Sequence, residues 1–405
     1  MEQGLRHYLT VTGGYWAFTI TDGAIRMLVV LYFHQLGYSP LSIAMLFLFY
    51  EFFGIVTNLV GGWLGAHLGL NRCMHIGMLL QIAALLMLTV PDGWLGVAYV
   101  MAAQALSGIA KDLNKMGAKA GVKLLVPAGS DSRLFRWVAL LTGSKNALKG
   151  AGFFIGAALL AQLGFRGALV ALAAMLTIAL LLTWWLLPEG LGRIRGGAKF
   201  SRIFSKTAAV NRLSAARFFL FGARDVWFVV ALPVFLYDQL GWSFTSVGSF
   251  LALWVIGYGI VQSMVPLLFR RAAPVGGRTL AVWAAILSLL PASMAGLLLY
   301  GVDAEMVVMA GLAGFAILFA INSSVHSFLI VAWSQREQVS MNVGFYYMAN
   351  AGGRLAGTVL SGLIYQYQGI SGCLGWSAAF ILMAALISMA LPEQVDSDHQ
   401  SGVCG

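Results

Sequence analysis

The stretch LYFHQLGYSPLSIAMLF (31–47) returns, 204 residues later, as FLYDQLGWSFTSVGSFL (235–251), with Gln35-Leu36-Gly37 over Gln239-Leu240-Gly241. The same offset lays Asn146-Ala147 over Asn350-Ala351. One offset recovered at two separate places marks a duplicated unit, because unrelated apolar helices would agree at scattered offsets. Each copy joins the end of one apolar segment to the start of the next. The repeated unit is therefore a set of membrane helices rather than a soluble domain.

Working outward, apolar segments fall at 8–36, 41–66, 73–90, 94–120, 134–163 and 166–187, then at 212–240, 243–269, 277–300, 305–333, 339–368 and 373–391. These twelve stretches are long enough to cross a hydrocarbon core as helices. Gly and Pro punctuate them, as at Gly37–Pro40, Pro91–Gly93 and Gly369–Gly372. The predicted organisation is an N-terminal six-helix half (1–187), a basic linker (188–211), a C-terminal six-helix half (212–391) and a tail (392–405). In the linker Phe200, Ile203 and Phe204 share a helical face opposite Arg202 and Lys206, which suits an amphipathic helix on an anionic leaflet.

Composition agrees. Of 405 residues, 60% are hydrophobic and 10% charged, against about 25% charged in soluble proteins. The mean hydropathy is +0.84. A nucleic-acid partner is excluded despite the net charge of +10; the partner of this surface is the lipid bilayer. The 48 glycines suit helices that pack closely in lipid. With the N-terminus cytoplasmic, the outer loops keep only Arg166, while Arg72, Lys123, Arg133, Arg193, Arg270 and other bases face inward. The positive-inside rule thus puts both termini in the cytoplasm of a multi-pass inner-membrane protein. Residues 1–7 lead into an apolar stretch holding Asp22 and Arg26, which reads as a retained helix rather than a cleaved signal.

Charges within the spans carry the functional reading, since each costs about 2.5–3.5 kcal/mol at mid-bilayer on insertion scales. Near the midplanes lie the bases Arg26, Lys111, Lys145, Lys149, Arg224 and Arg354 and the acids Asp22, Glu51, Asp112 and Asp225. Lys115 follows one turn away, and Lys111, Lys115 and Lys119 recur every four residues on one stripe. Lys119 and Arg217 are expected to snorkel to the inner interface. Asn350 and Tyr346 share a face with Arg354. A lattice of structural ion pairs would balance; the excess of bases suits a multivalent anion. The alternatives at single positions are structural: Asp22 with Arg26 as an i, i+4 pair, Glu51 with a lysine of the fourth span, and His326 as a packing residue. Arg224 and Asp225, adjacent, diverge by about 100° around a helix. The acids are also the candidates for proton coupling.

No HExxH, GxSxG or P-loop is present, and KGAGFFIG (149–156) sits mid-span without a preceding strand. The reading is of a non-enzyme with no cofactor. Cys73 and Cys373 fall at opposite membrane faces and Cys404 in the tail, so neither a disulfide nor a metal site is expected.

Two six-helix halves in parallel repeat resemble the major facilitator superfamily. GGWLGAHLGLNR (61–72) resembles that superfamily's glycine-and-basic loop, with Gly65 near the place of its usual acid. More specifically, YWAFTITDGAIRMLVVLYFHQLGYSP (15–40), FLFYEFFGIVTNLVGGWLG (47–65), ALSGIAKDLNKMGAKAGVKL (105–124), LTGSKNALKGAGFF (141–154) and GFYYMANAGGR (344–354) resemble the ArsJ family of permeases. That resemblance implies a major facilitator fold and efflux of 1-arseno-3-phosphoglycerate. The compound arises when glyceraldehyde-3-phosphate dehydrogenase uses arsenate in place of phosphate, and its export confers arsenate resistance. An organophosphate or other organic-anion transporter is the alternative. The expected substrate residues are Arg26, Lys111, Lys115, Lys145, Lys149, Arg224, Tyr346, Asn350 and Arg354.

Overall fold

The computed structural model describes residues 2–37, 46, 48–126, 130–188, 207–269, 275–335 and 338–393. The expected amphipathic helix around Phe200, Ile203 and Phe204 lies outside them. Helix α1 spans Glu2–Gln35, α2 Leu48–Leu68, α3 Leu70–Met87 and α4 Val97–Leu125. The helix Asp131–Leu186 turns back at Gly164, where φ is 68°, giving α5 (131–163) and α6 (165–186). In the second half α7 runs Ala208–Phe228 and resumes as Ala231–Asp238; α8 is Phe244–Leu268, α9 Gly277–Leu299 and α10 Ala304–Ala332. The helix Val339–Met389 turns back at Gly369, with φ 62°, giving α11 (339–368) and α12 (370–389). The two glycine corners occupy equivalent places in the repeat, where only glycine adopts positive φ without strain. Among the described residues, twelve helical segments thus correspond to the twelve apolar stretches, and α7 starts four residues before the expected boundary at 212.

Polar caps start several helices: Thr207, Ser243 and Asp303 each accept from the backbone N–H three residues on. Helix α4 is too charged to pass as a spanning helix by hydropathy alone, since Lys111, Asp112, Lys115 and Lys119 occupy its middle. It is stable there because its polar face turns toward the interior of the bundle.

Within each half, α1 packs on α5 and α7 on α11. Between halves, α2 meets α11 and α5 meets α8. These contacts are close: a Cβ on Gly62 would lie 2.9 Å from Ser340 O, and one on Gly150 2.9 Å from Ala252 O. A Cβ on Gly65 would run into Ser340 Oγ. The acid usual at that place in the motif would require the Ser340 and Leu70 side chains to turn aside. Phe135 of α5 packs at a tilt against Phe328 of α10, with ring centroids 4.8 Å apart, and against Phe269 at 5.9 Å. Lys123 donates to Ala332 O at 3.0 Å. The Gly62, Gly65, Phe135 and Lys123 contacts lie on the side where α1 begins and α12 ends and close the halves on that terminal face, while the Gly150–Ala252 contact lies near mid-span.

Candidate functional site: a basic cavity between the halves

Above that seal lies a cavity of about 120 Å³, lined by α1, α2, α4 and α5 of one half and α7, α8, α10 and α11 of the other. Among the described residues, eight basic side chains and two carboxylates face it. The i, i+4 spacing of Lys111, Lys115 and Lys119 and of Lys145 and Lys149 puts each set on one helix face.

Five clusters organise the charges. Asp22, 3% exposed, pairs with Lys149 at 2.9 Å and accepts a hydrogen bond from the Tyr50 hydroxyl. The Tyr50 ring lies within cation–π distance of Lys111 Nζ, at 3.8 Å, and of Arg26, at 4.6 Å. Asp112 pairs with Lys115 at 2.6 Å and more loosely with Lys111 at 4.0 Å. Asp225, fully buried, takes Arg224 at 2.5 Å and Arg354 at 3.1 Å. Arg217 donates to Asn350 Oδ1 at 2.9 Å and lies over the Phe221 ring at 3.8 Å. Lys119 donates to Ser327 and to the Tyr347 hydroxyl. Lys145 faces the cavity with no hydrogen bond or ion pair among the described residues. The site is thus a bowl of cations, only some of them matched.

Residues 11–329 match the profile of the Major Facilitator Superfamily. The chain belongs to that superfamily. Among solved structures it is similar to the human organic anion transporter MFSD10 (TETRAN), at 17% identity and TM-score 0.74, covering 95% of this chain and 99% of that one. It is similar to the proton:xylose symporter XylE bound to 6-bromo-6-deoxy-D-glucose, at 15% identity and TM-score 0.75, covering 96% and 95%. It is also similar to a bacterial homologue of the iron transporter ferroportin in an outward-facing state, at 15% identity and TM-score 0.73, covering 95% and 98%. At these identities the likeness is one of fold. No protein of curated function matches the sequence. The chain is therefore an integral membrane transporter of this superfamily, and the cavity sits between its two halves, where such transporters bind cargo.

Most of the expected residues of this major facilitator protein converge there: Asp22, Lys111, Asp112, Lys115, Lys145, Lys149, Arg224, Asn350 and Arg354 line the cavity. Several details differ from the sequence reading. Asp22 pairs with Lys149 across two helices, while Arg26, one turn along α1, stacks on Tyr50 instead. Arg224 and Asp225 do meet, because a long guanidinium side chain bends round to its neighbour's carboxylate. Tyr346 is fully buried behind the wall and its neighbour Tyr347 lines the cavity. The side chain of Glu51 lies outside the described residues. Lys119 and Arg217 do not snorkel; they are 2% and 3% exposed and reach the cavity. Both had a signal: Lys119 continues the lysine stripe, and Arg217 stands seven residues before Arg224, on the same face of α7. His326 is 1% exposed in α10, in keeping with a packing residue.

Proposed function

We propose that the chain exports an anionic, phosphorylated three-carbon cargo, 1-arseno-3-phosphoglycerate, by alternating access, and thereby confers arsenate resistance in partnership with glyceraldehyde-3-phosphate dehydrogenase. The observation that carries this reading is that, among the described residues, eight bases line the cavity against Asp22 and Asp112, with Asp225 behind two of them and Lys145 unmatched. Buried cations without counter-charges are costly, and a multivalent anion offsets that cost on binding. The cargo carries an oxyanion at each end of a short carbon chain, which fits bases contributed by both halves. The charge-fork of arginine suits tetrahedral oxyanions, and lysine adds point charge. Pentavalent arsenic as an oxyanion needs no thiolate.

With the basic loops on the cytoplasmic side, the terminal-face seal closes the inside, and the arrangement corresponds to a transporter shut toward the cell. Cargo bound between the halves favours whichever state brings both sets of bases together. An inside-negative potential drives anions out at about 2.3 kcal/mol per charge per 100 mV. Uniport is energetically sufficient; the paired carboxylates Asp22, Asp112 and Asp225, with Glu51, offer sites for an exchanged proton. A second reading keeps the transporter and changes the cargo to an organophosphate or another organic anion, which the same lining supports.

The test is growth in arsenate of arsenate-sensitive cells expressing the chain, with and without the dehydrogenase. Protection that requires both supports the arseno-ester. Protection by neither arrangement, with uptake or exchange of 3-phosphoglycerate in vesicles, would move the assignment to the second reading.

A further inference from the structure

Lys119 of α4 and Arg217 of α7 are held in parallel. Lys119 donates to Ser327 Oγ on α10 at 3.3 Å and to the Tyr347 hydroxyl on α11. Arg217 donates to Ser323 Oγ on α10 at 3.3 Å and to Asn350 Oδ1 on α11 at 2.9 Å. Ser323 and Ser327 are one turn apart, and so, nearly, are Tyr347 and Asn350. The two cations therefore sit one above the other along the same pair of helices, separated by roughly one helical pitch of ~5.4 Å. One comes from each half of the protein.

Their ligands differ in kind from those of the other paired bases. Lys149 is matched by Asp22, Lys115 by Asp112, and Arg224 and Arg354 by Asp225. Lys119 and Arg217 have only hydroxyl and amide oxygens. Neutral acceptors orient a cation without cancelling its charge. Ser323 is itself fixed, since it also accepts from Gln262 Nε2 at 3.1 Å, and Gln262 in turn accepts from Asn146 Nδ2 at 2.6 Å. A chain of neutral side chains from both halves thus pre-sets the positions of two like charges that repel each other. Lys145 stands within electrostatic reach of Lys119 and adds a third positive field.

We propose that Lys119 and Arg217 form the seat for a dianionic tetrahedral oxyanion, the phosphate-monoester end of the cargo, at the sealed end of the cavity. The inference rests on the anionic-cargo reading above and deepens it. A phosphate monoester carries about −1.5 to −2 charges at neutral pH, matching two uncompensated cations where a carboxylate would match one. Its three oxygens accept from the arginine fork and the lysine together. Because the seat is split between α4 and α7, the bound group ties the two halves to each other. The arseno-ester end of the cargo and its hydroxyl are left to the compensated bases nearer the opposite face.

The test compares binding of 3-phosphoglycerate and D-glycerate, which differ by the phosphate alone, to the full-length protein in lipid nanodiscs. The wild type should prefer 3-phosphoglycerate at least tenfold, about 1.4 kcal/mol. Lys119→Gln and Arg217→Gln should each reduce that preference at least fivefold, leaving glycerate affinity within twofold. Lys119→Arg, which keeps the charge, should restore most of it. Lys119→Met, which removes a buried charge and leaves no new polar group, serves if the Gln variant does not fold. A preference unchanged in both neutral variants would overturn the seat and leave a phosphorylated cargo standing. No preference in the wild type would overturn the seat and the phosphorylated cargo together.

Discussion

In the N-terminal half Asp22 of α1 faces Lys149 of α5 at 2.9 Å; in the C-terminal half Asp225 of α7 faces Arg354 of α11 at 3.1 Å. These are equivalent helices of the repeat, and each half holds its first helix against its fifth by one carboxylate and one base. The surroundings then diverge. Asp22 shares itself between a lysine and the Tyr50 hydroxyl, whereas Asp225 is claimed by two arginines. Every cavity-lining base of the first half is a lysine and every one of the second an arginine. Lysine is a mobile point charge and arginine a planar fork. The C-terminal half therefore presents a fixed, mutually braced pair, and the N-terminal half a looser field with Lys145 to spare. The difference points to a division of labour: the first half supplies attraction and the second supplies geometry.

The largest effect should come from breaking the braced side. Asp225→Asn takes a fully buried carboxylate from beside two half-buried guanidinium groups, and removing one member of a buried ion pair costs about 3–5 kcal/mol. Asp22→Asn frees only one lysine and keeps a hydrogen bond to Tyr50, so it should cost markedly less. Thermal unfolding of the two purified variants measures this directly. Equal losses would mean that the two halves are energetically alike.

Next comes the unmatched lysine. Lys145→Gln removes a cation that makes no ion pair among the described residues, so the unfolding temperature should hold or rise slightly. Transport should fall more than about tenfold, or ~1.4 kcal/mol at the transition state, because the cargo loses an uncompensated charge. Efflux at wild-type rate from matched amounts of protein would take Lys145 out of the site.

Smaller still is the loss of geometry without charge. Arg224→Lys and Arg354→Lys keep the sign but replace a planar fork by a point charge, giving up the bidentate geometry while a charge-assisted contact remains. Transport should drop several-fold in each, and cargo-induced thermal stabilisation should drop less, because closure of the halves depends on the fork. Wild-type transport in both would return these arginines to a purely structural role toward Asp225.

The fold was readable because hydropathy and the 204-residue repeat both act along the chain, as does the punctuation by glycine at the corners Gly164 and Gly369. Most of the site was readable for the same reason: a charge inside a span has to face the interior, and i, i+4 spacing says which charges travel together. What periodicity does not carry is which neighbour a charge meets. Asp22 has Arg26 one turn away on its own helix, yet it also meets Lys149 of another, because the close α1–α5 contact at Gly23 and Gly152 brings Lys149 within 2.9 Å. Tyr346 and Tyr347 are 100° apart on α11, and only helix rotation, set by Gly344 packing on Asn58 O, decides which of them faces inward. Lys119 and Arg217 lie at depths where snorkelling and inward pairing are both open to a long side chain. Serines 323 and 327, unremarkable in an apolar run, settle it by offering ligands from another helix.

The smallest expected effect concerns the cysteines, and its value is in what it excludes from both halves at once. Cys73 begins α3 near the terminal face and Cys373 begins α12 at the opposite end, each buried and free. Cys404 lies outside the described residues. Neither buried thiol lines the basic cavity. A soft, trivalent arsenic species would seek thiolates, and a transporter for it would place them where the cargo binds. A hard oxyanion cargo asks only for cations and hydrogen-bond donors. Replacing all three cysteines by alanine should therefore leave arsenate protection and vesicle efflux within twofold of wild type, with a stability cost of roughly 1 kcal/mol for each buried site. Cargo-dependent protection that vanished in a folded, normally expressed triple variant would move the chemistry from the lysines and arginines to sulfur, and the contrast between the two halves would no longer bear on transport.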